Sequence, residues 1–245
     1  MLETTEVAGA REVVFRDAWL LDLGRMEYGK TWAIQKALVP QRAADRIPDG
    51  LILVEHDPVV TLGRRGTDAD VLDRSLPVYR VERGGEATFH GPGQLVGYPI
   101  LKLPDRLDVK RLVTDLEDVL IQACADFGIE ASHEGPERGV WVKDRKIASL
   151  GLAVQRNVTF HGFAHNVDTD LSYFQKIRPC GHAGTIMTSM ARLLRHTVDL
   201  EDVKDSVIVH FQSVFGVTLR RVGLGDLLPE GAPSAPDPGT PSAAG

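Results

Sequence analysis

Three apolar runs stand almost end to end in the second half of this chain: GVWV from Gly139, KIASLGLAVQ from Lys146 and VTFHGFAHNV from Val158. Only Lys143, Asp144 and Arg145 separate the first two, a spacing that fits a hairpin and leaves no room for a crossover helix. Strict strand–helix alternation is therefore excluded here. Earlier runs at Leu51 (LILVEH), Pro58 (PVVTLG), Pro77 (PVYRVE) and Gln94 (QLVGYPILKL) also read as strands. Helical periodicity falls elsewhere. Glu27 to Ala44 carries Tyr28, Trp32, Gln35 and Val39 on one stripe. Asp108 to Phe127 carries Leu112, Leu116, Val119, Ala123 and Phe127, with Asp108 as cap and Gly128 as stop. A short helix is expected from Ser189 to Arg195 and a longer one from Leu200 to Phe215, capped by Asp199. Runs of strands with segregated helices predict an α+β fold, a mixed, largely antiparallel sheet flanked by helices.

The chain of 245 residues is long enough to bury a core without a disulfide or metal. One catalytic-size domain is expected over residues 11–228, after a flexible stretch at 1–10. From Pro229 the last 17 residues hold five prolines and nothing apolar larger than Ala, the composition of a disordered tail. Two cysteines, Cys124 and Cys180, cannot make a disulfide framework, and no signal segment opens the sequence, so a cytoplasmic location is expected. No apolar stretch approaches the roughly 18 residues that would span a bilayer, so no membrane partner is expected. With 28 Lys and Arg against 34 Asp and Glu, the net charge of −6 argues against a nucleic-acid partner.

Cys124 lies beside Ala123 on a helix, the setting of a small buried hydrophobe. Cys180 stands in RPCGHAGT, between a proline that blocks helix and a glycine that permits close approach. That loop setting suits a nucleophile, with packing and metal binding as the open alternatives. His161 and His165, with Cys180 and His182, offer four N/S ligands. On a strand, however, residues four apart lie on one face about 13 Å from each other, too far to share one ion, so no metal is expected. Arg83 to Gln94, RGGEATFHGPGQ, has four glycines. It reads either as a loop that wraps a ligand with backbone N–H groups or as a sharp corner between strands, and it lacks the strand-to-helix context of a phosphate-binding loop. Gly84, Gly85 and Gly93 are expected to tolerate Ala poorly.

Taken together, RGGEATFHGPGQLVGYPI, GVWV, RKIASLG, TFHGFAHNVDTDL and RPCG, the last followed by Thr188-Ser189, resemble the octanoyltransferase (LipB) family of lipoate biosynthesis, with the likeness running from Glu55 to Ser189. The resemblance implies a fold like the catalytic domain of biotin and lipoate protein ligases. It implies transfer of an octanoyl group from octanoyl-acyl carrier protein to a lysine of apo lipoyl domains, those of 2-oxoacid dehydrogenase complexes and the glycine cleavage H protein. It further implies a thioester on Cys180, assisted by Lys146, and no cofactor. Substrate contacts implied by the family are Arg83, Gly84, Gly85, Glu86, Ala87, Thr88, Phe89 and His90, then Ser149, Leu150 and Gly151, then Gly162, Phe163 and Ala164. His165 departs from the family, where Leu is common.

The chemistry fits those residue types. Thioester exchange onto a cysteine is nearly isoenergetic and amide formation is downhill, so ATP is not required. A Lys146 ammonium beside Cys180 favours the thiolate, and neutral Lys146 can accept a proton from the incoming amine. Alternation puts Ala148 and Leu150 on the face of Lys146, toward an apolar pocket. His90 either meets the acyl group or holds its loop; Arg83 either pins the Gly-Gly turn or meets an acidic partner; His161 either orients the site or is a satisfied structural histidine. Asn166 and Asp168 are expected to make local side-chain to backbone bonds. Arg138 to Arg156 holds five basic residues and one acidic, a docking face for an acidic protein or a solvated hairpin. Competing classes are an ATP-dependent ligase, a cysteine thioesterase and a non-enzymatic acyl carrier.

Overall fold

The computed structural model describes residues 15–104, 109–178 and 186–228. The expected flexible start, the Pro-rich tail and the helix cap Asp108 lie outside the described residues. In chain order the elements are β1 (Arg16–Met26), α1 (Tyr28–Ala43), β2 (Gly50–His56), β3 (Val59–Leu62), β4 (Val78–Arg80), β5 (Ala87–His90), β6 (Gln94–Ile100), α2 (Val109–Asp126), β7 (Val140–Val142), β8 (Arg145–Gln155), β9 (Val158–Asn166), α3 (Met190–Leu194), α4 (Leu200–Phe215), β10 (Val217–Arg221) and α5 (Leu224–Leu227), with short 3₁₀ turns at Asp68–Asp70 and Leu171–Lys176.

Seven strands make one sheet in the order β10-β1-β2-β6-β9-β8-β7, and β4-β3-β5 make a smaller one. β10, β1 and β2 run parallel; from β2 through β6, β9 and β8 to β7 every pair is antiparallel. The sheet is thus mixed and largely antiparallel, flanked by helices. Both of its faces are buried, and the alternation of β2 shows how. Leu51 and Leu53 join Leu116, Val119 and Phe211 of α2 and α4, whereas Ile52 and Val54 join Leu38 and Val39 of α1. A strand covered on both sides reads as a continuous apolar run, which is why LILV was visible in sequence.

The helix ends follow local chemistry. Glu27 accepts the N–H groups of Gly29 and Lys30 at 2.7 and 2.8 Å and starts α1. Asp199 accepts from Glu201 N–H to start α4, and Gly216, at φ 59°, ends it in the left-handed conformation. Three strands escaped the sequence reading. β1 and β10 mix charged residues into their runs, and β5 lies inside the Gly-rich segment taken for a loop or corner.

Gly93 and Gly84 separate two meanings of glycine. Gly93 has φ 76°, and a Cβ there would stand 2.3 Å from the Asp168 carbonyl oxygen. Gly84 has ordinary backbone, and its Cβ would meet nothing closer than 3.8 Å. For Gly84 backbone strain falls away as a reason to resist Ala, and intrusion into the cavity that Gly84 lines is the ground that stands. Gly93→Ala is expected to cost about 3 kcal/mol in denaturant unfolding, and Gly84→Ala less than about 1 kcal/mol; equal losses would refute this account of the corner.

Candidate active site

A cavity of about 500 Å³ opens between the small sheet and the face of the large one. The segment before β5 contributes Arg83, Gly84, Gly85 and Glu86 to its wall, and β5 itself Ala87, Thr88 and His90; β8 contributes Lys146, Ser149, Leu150 and Gly151; β9 contributes Gly162, Phe163 and Ala164. Tyr28, Tyr98, His161 and, from α2, Val113 complete much of the remainder. Phe89 does not line it. Strand alternation turns Phe89 away from the direction of Thr88 and His90, and its ring stacks on Tyr173 at 4.7 Å and meets the edge of Phe174. Phe89 is therefore a core residue under the small sheet rather than a cavity residue. Cys180 and His182 lie outside the described residues. On either side of that gap, Arg178 N–H bonds to Asp70 O at 2.8 Å, and Met187 bridges Lys146, with Thr188 N–H donating to Lys146 O at 2.9 Å. Met187 and Thr188 thus stand beside Lys146.

Lys146 follows a tight hairpin whose Lys143 adopts φ 55°, yet its side chain is only 5% exposed. Its Nζ lies 3.3 Å from Glu137 Oε1 and 5.4 Å from the centre of the Trp141 ring. The β7–β8 register slips between Val140 and Trp141, so the simple alternation expected from Lys146 to Ala148 is broken there. Ile147 and Ala148 both enter the apolar cluster under α2.

Arg83 resolves toward a structural role. Its guanidinium donates to Thr61 O at 2.7 Å, Glu86 O at 2.8 Å, Gly84 O at 2.9 Å and Thr61 Oγ1 at 2.9 Å, so it ties the Gly-Gly turn to β3. His90 Nδ1 is 2.8 Å from Gln94 Oε1. Gln94 Nε2 already donates to Phe89 O and to Asn166 Oδ1, so its oxygen must accept and His90 Nδ1 carries the proton. Asn166 Nδ2 in turn donates to Thr188 O at 3.0 Å. Asn166 therefore bonds across the fold rather than locally, and links His90 through Gln94 to Thr188 beside Lys146.

A model of the lipoyl protein ligase A/B catalytic domain matches residues 27–212. The chain belongs to this family. A curated octanoyltransferase of Syntrophotalea carbinolica is 47% identical over 194 residues, which are 79% of this chain and 92% of that protein. The fold is shared with a lipoate-protein ligase A solved with ATP, at TM-score 0.69 and 16% identity over 87% of this chain and 92% of that one. It is shared also with a bi-partite lipoate protein ligase from Thermoplasma acidophilum, described with its E2 lipoyl domain, at TM-score 0.68 and 16% identity over 86% and 90%.

Family motifs account for the Gly-rich segment, Tyr98 and the β8 and β9 contributions, whereas Tyr28, Val113 and Glu137 line the cavity from outside them, and His56 stands behind Tyr98. His56 donates from Nδ1 to Met26 O and accepts from Tyr98 OH, both at 2.8 Å, and burial pushes its pKa down to about 4. Tyr28 stacks on His90 at 5.8 Å. Burial raises both phenols above their ordinary range and holds His90 well below its own, so these three rings carry no charge, and the nearby charge is that of the Arg83 guanidinium. His161 and His165 do not share surroundings. His161 sits at φ 56° and reaches Glu82 at 3.3 Å, whereas His165 Nε2 is 3.7 Å from Cys124 Sγ beneath α2. Among the described residues no group of three or more His, Cys, Asp or Glu is placed to hold a metal.

His165 carries a pH liability. Burial holds its folded pKa at about 4, against 6.5 when exposed. Above pH 6.5 both states are neutral and stability is complete; as pH falls from 6.5 toward 4 only the unfolded chain gains the proton and stability is lost, roughly 2 kcal/mol at pH 5. His165→Leu is expected to be more stabilising relative to the parent at pH 5 than at pH 7.5 by that amount. The same advantage at both pH values would show that His165 is not held neutral.

Proposed function

We propose that the chain is an octanoyltransferase of lipoate biosynthesis that moves its acyl group from octanoyl-acyl carrier protein through a Cys180 thioester to a lysine of an apo lipoyl domain. The octanoyl-transfer activity follows from family membership and from the curated relative covered over nearly its whole length. Acceptors of this chemistry carry lipoyl domains; those of 2-oxoacid dehydrogenase complexes and the glycine cleavage H protein, with the acyl carrier protein as donor, are our assignment. We also take residues 11–228 as one catalytic domain acting in the cytoplasm. No helix of the described residues is long and apolar enough to cross a membrane.

The observation that carries the mechanism is the burial of Lys146 in the cavity wall, paired by backbone bonds to the residues that follow RPCG. In the first step the Cys180 thiolate attacks the donor thioester; its new S–C bond forms as the carrier's sulfur leaves and takes a proton from the Lys146 ammonium, which is left neutral. In the second the acceptor amine attacks the Cys180 thioester, an amide forms, the amine's proton passes to Lys146 and the Cys180 thiolate leaves. The acyl chain lies along Leu150, Phe163 and Ala164, with the uncharged Tyr28 and Tyr98 near its end. Intact mass tests this reading. Incubation with octanoyl-acyl carrier protein should add one octanoyl group, and an apo lipoyl domain should remove it. Labelling that instead requires ATP and free octanoate would assign the chain to the ligases.

Charge gives a second test. Lys143→Glu with Arg145→Glu is expected to raise KM for octanoyl-acyl carrier protein about tenfold at low salt, less at high salt, and to leave a small octanoyl thioester unaffected, because rim charges chiefly steer encounter. Equal effects on both donors would remove the hairpin from the docking face.

A further inference from the structure

α2 carries a carboxylate among its buried positions that the mechanism above does not use. Glu117 is 1% exposed. Its Oε1 accepts the backbone N–H of Gly139 at 2.8 Å, and its Oε2 accepts from Arg138 Nη1 at 3.1 Å and faces His133 Nδ1 at 3.2 Å. All three partners belong to the segment that enters β7, and that segment wraps Lys146. Gly139 has φ 143°, and its backbone is so close that a Cβ would stand 2.3 Å from Lys146 Cε. Glu137 faces the ammonium at 3.3 Å, and its own carbonyl is held by Trp141 Nε1 at 3.0 Å. Residues 137–139 therefore form a sleeve around the lysine, and Glu117 grips that sleeve from the helix side.

A buried carboxylate is costly unless its oxygens are occupied, and here a backbone N–H and a guanidinium occupy them. Such a group, once paired, fixes geometry more sharply than an apolar side chain of equal size, because each bond has a direction. We propose that Glu117 is a positioning residue for acyl transfer: it holds residues 137–139 against Lys146 and thereby sets where the Lys146 Nζ stands. This rests on Lys146 taking part in transfer as described above.

Single-turnover transfer measured on the folded full-length protein tests it. Glu117→Met removes both acceptors and should slow transfer about 100-fold, the loss expected when a reacting group is misplaced by about an ångström. KM for the octanoyl donor should stay within about twofold, since the cavity wall at Leu150 and Phe163 is untouched. Glu117→Gln keeps one oxygen for Gly139 N–H and should recover about tenfold of that loss. In a Lys146→Ala background Glu117→Met should slow the residual rate by less than about twofold, because a residue that acts through another adds nothing once the other is gone. Acetylation of Lys146 by acetic anhydride, followed by peptide mass, should speed up in the order parent, Gln variant, Met variant as the sleeve opens. If the Met variant does not fold, the parent and Gln variant still give the labelling comparison.

Full additivity in the Lys146→Ala background, parental transfer in Glu117→Met, a rise in KM with kcat unchanged, or parental labelling in Glu117→Gln would each overturn the proposal. A Lys146→Ala enzyme with the parental rate would instead remove the assigned role of Lys146, and this inference with it. A slow Lys146→Ala enzyme with additive losses removes the inference alone.

Discussion

Cys180→Ser will leave no octanoyl adduct on the protein and will slow transfer at least about 1,000-fold, because a serine hydroxyl has neither the nucleophilicity of a thiolate nor its quality as a leaving group. The other cysteine supplies the control. Cys124 is fully buried on α2, and burial pushes its thiol up to about 12, so it stays protonated and out of reach of any substrate. Cys124→Ala should cost about 1 kcal/mol of stability and spare transfer. Intact mass and single-turnover rates distinguish the two variants directly. Octanoyl adduct and normal turnover in Cys180→Ser would end the covalent mechanism.

The second large effect falls on Lys146 and divides its two tasks. Lys146→Ala should slow both acylation of Cys180 and transfer to the lipoyl domain, each by about 100-fold or more, at or above the lower end of the range for a positioned acid or base. Lys146→Arg should restore much of the first step, since a guanidinium supplies a positive charge beside the thiolate. It should fail at the second, since it cannot give up a proton near neutral pH to serve as base. The substitution also meets a steric test, because the Lys146 stem already touches the Gly139 backbone. Following adduct mass and amide product separately reads the two steps. A normal second step in the Arg variant would leave Lys146 as an electrostatic partner of Cys180 and exclude it as the base.

What could be read in advance divides along physical lines. α2 was legible because an apolar stripe, a cap and a stop coincide in it, α4 because Asp199 marks its start, and β2 because burial on both faces makes it uninterruptedly apolar. β10 was not, since an edge strand reading VTLRR needs only one apolar face and presents its arginines to water. The site behaves likewise. Lys146, the loop at Arg83 and the stretch at Gly162 stand in contiguous motifs. Tyr28, Val113 and Glu137 come from two helices and a loop outside those motifs and meet at the cavity only through the fold. Tyr28 did show itself on the α1 stripe, but periodicity marks such a residue as buried without saying that its neighbour is a cavity. Glu117 left a fainter sign: a carboxylate directly after Leu116 and three residues before Leu120, within the buried face of its helix. Backbone irregularity was invisible. The β8 slip and the left-handed His161 both defeat period-two reasoning at the places where it was applied to side chains of the site.

The pairing of β1 with β10, Arg16 opposite Val217 through Leu20 opposite Arg221, joins segments about two hundred residues apart. Synthesis on the ribosome delivers β1 first, so β1, with Trp19 and Leu21 for one core and Leu20 for the other, must wait beside an open edge until β10 has emerged. The loop to be closed spans about two hundred residues, and closure comes late in folding. During that interval the nascent protein presents an apolar strand with unpaired N–H and C=O groups, the template on which unwanted strands add. Translation pauses or chaperone supply near the last strand should therefore govern the yield of soluble enzyme more than the strength of its finished core.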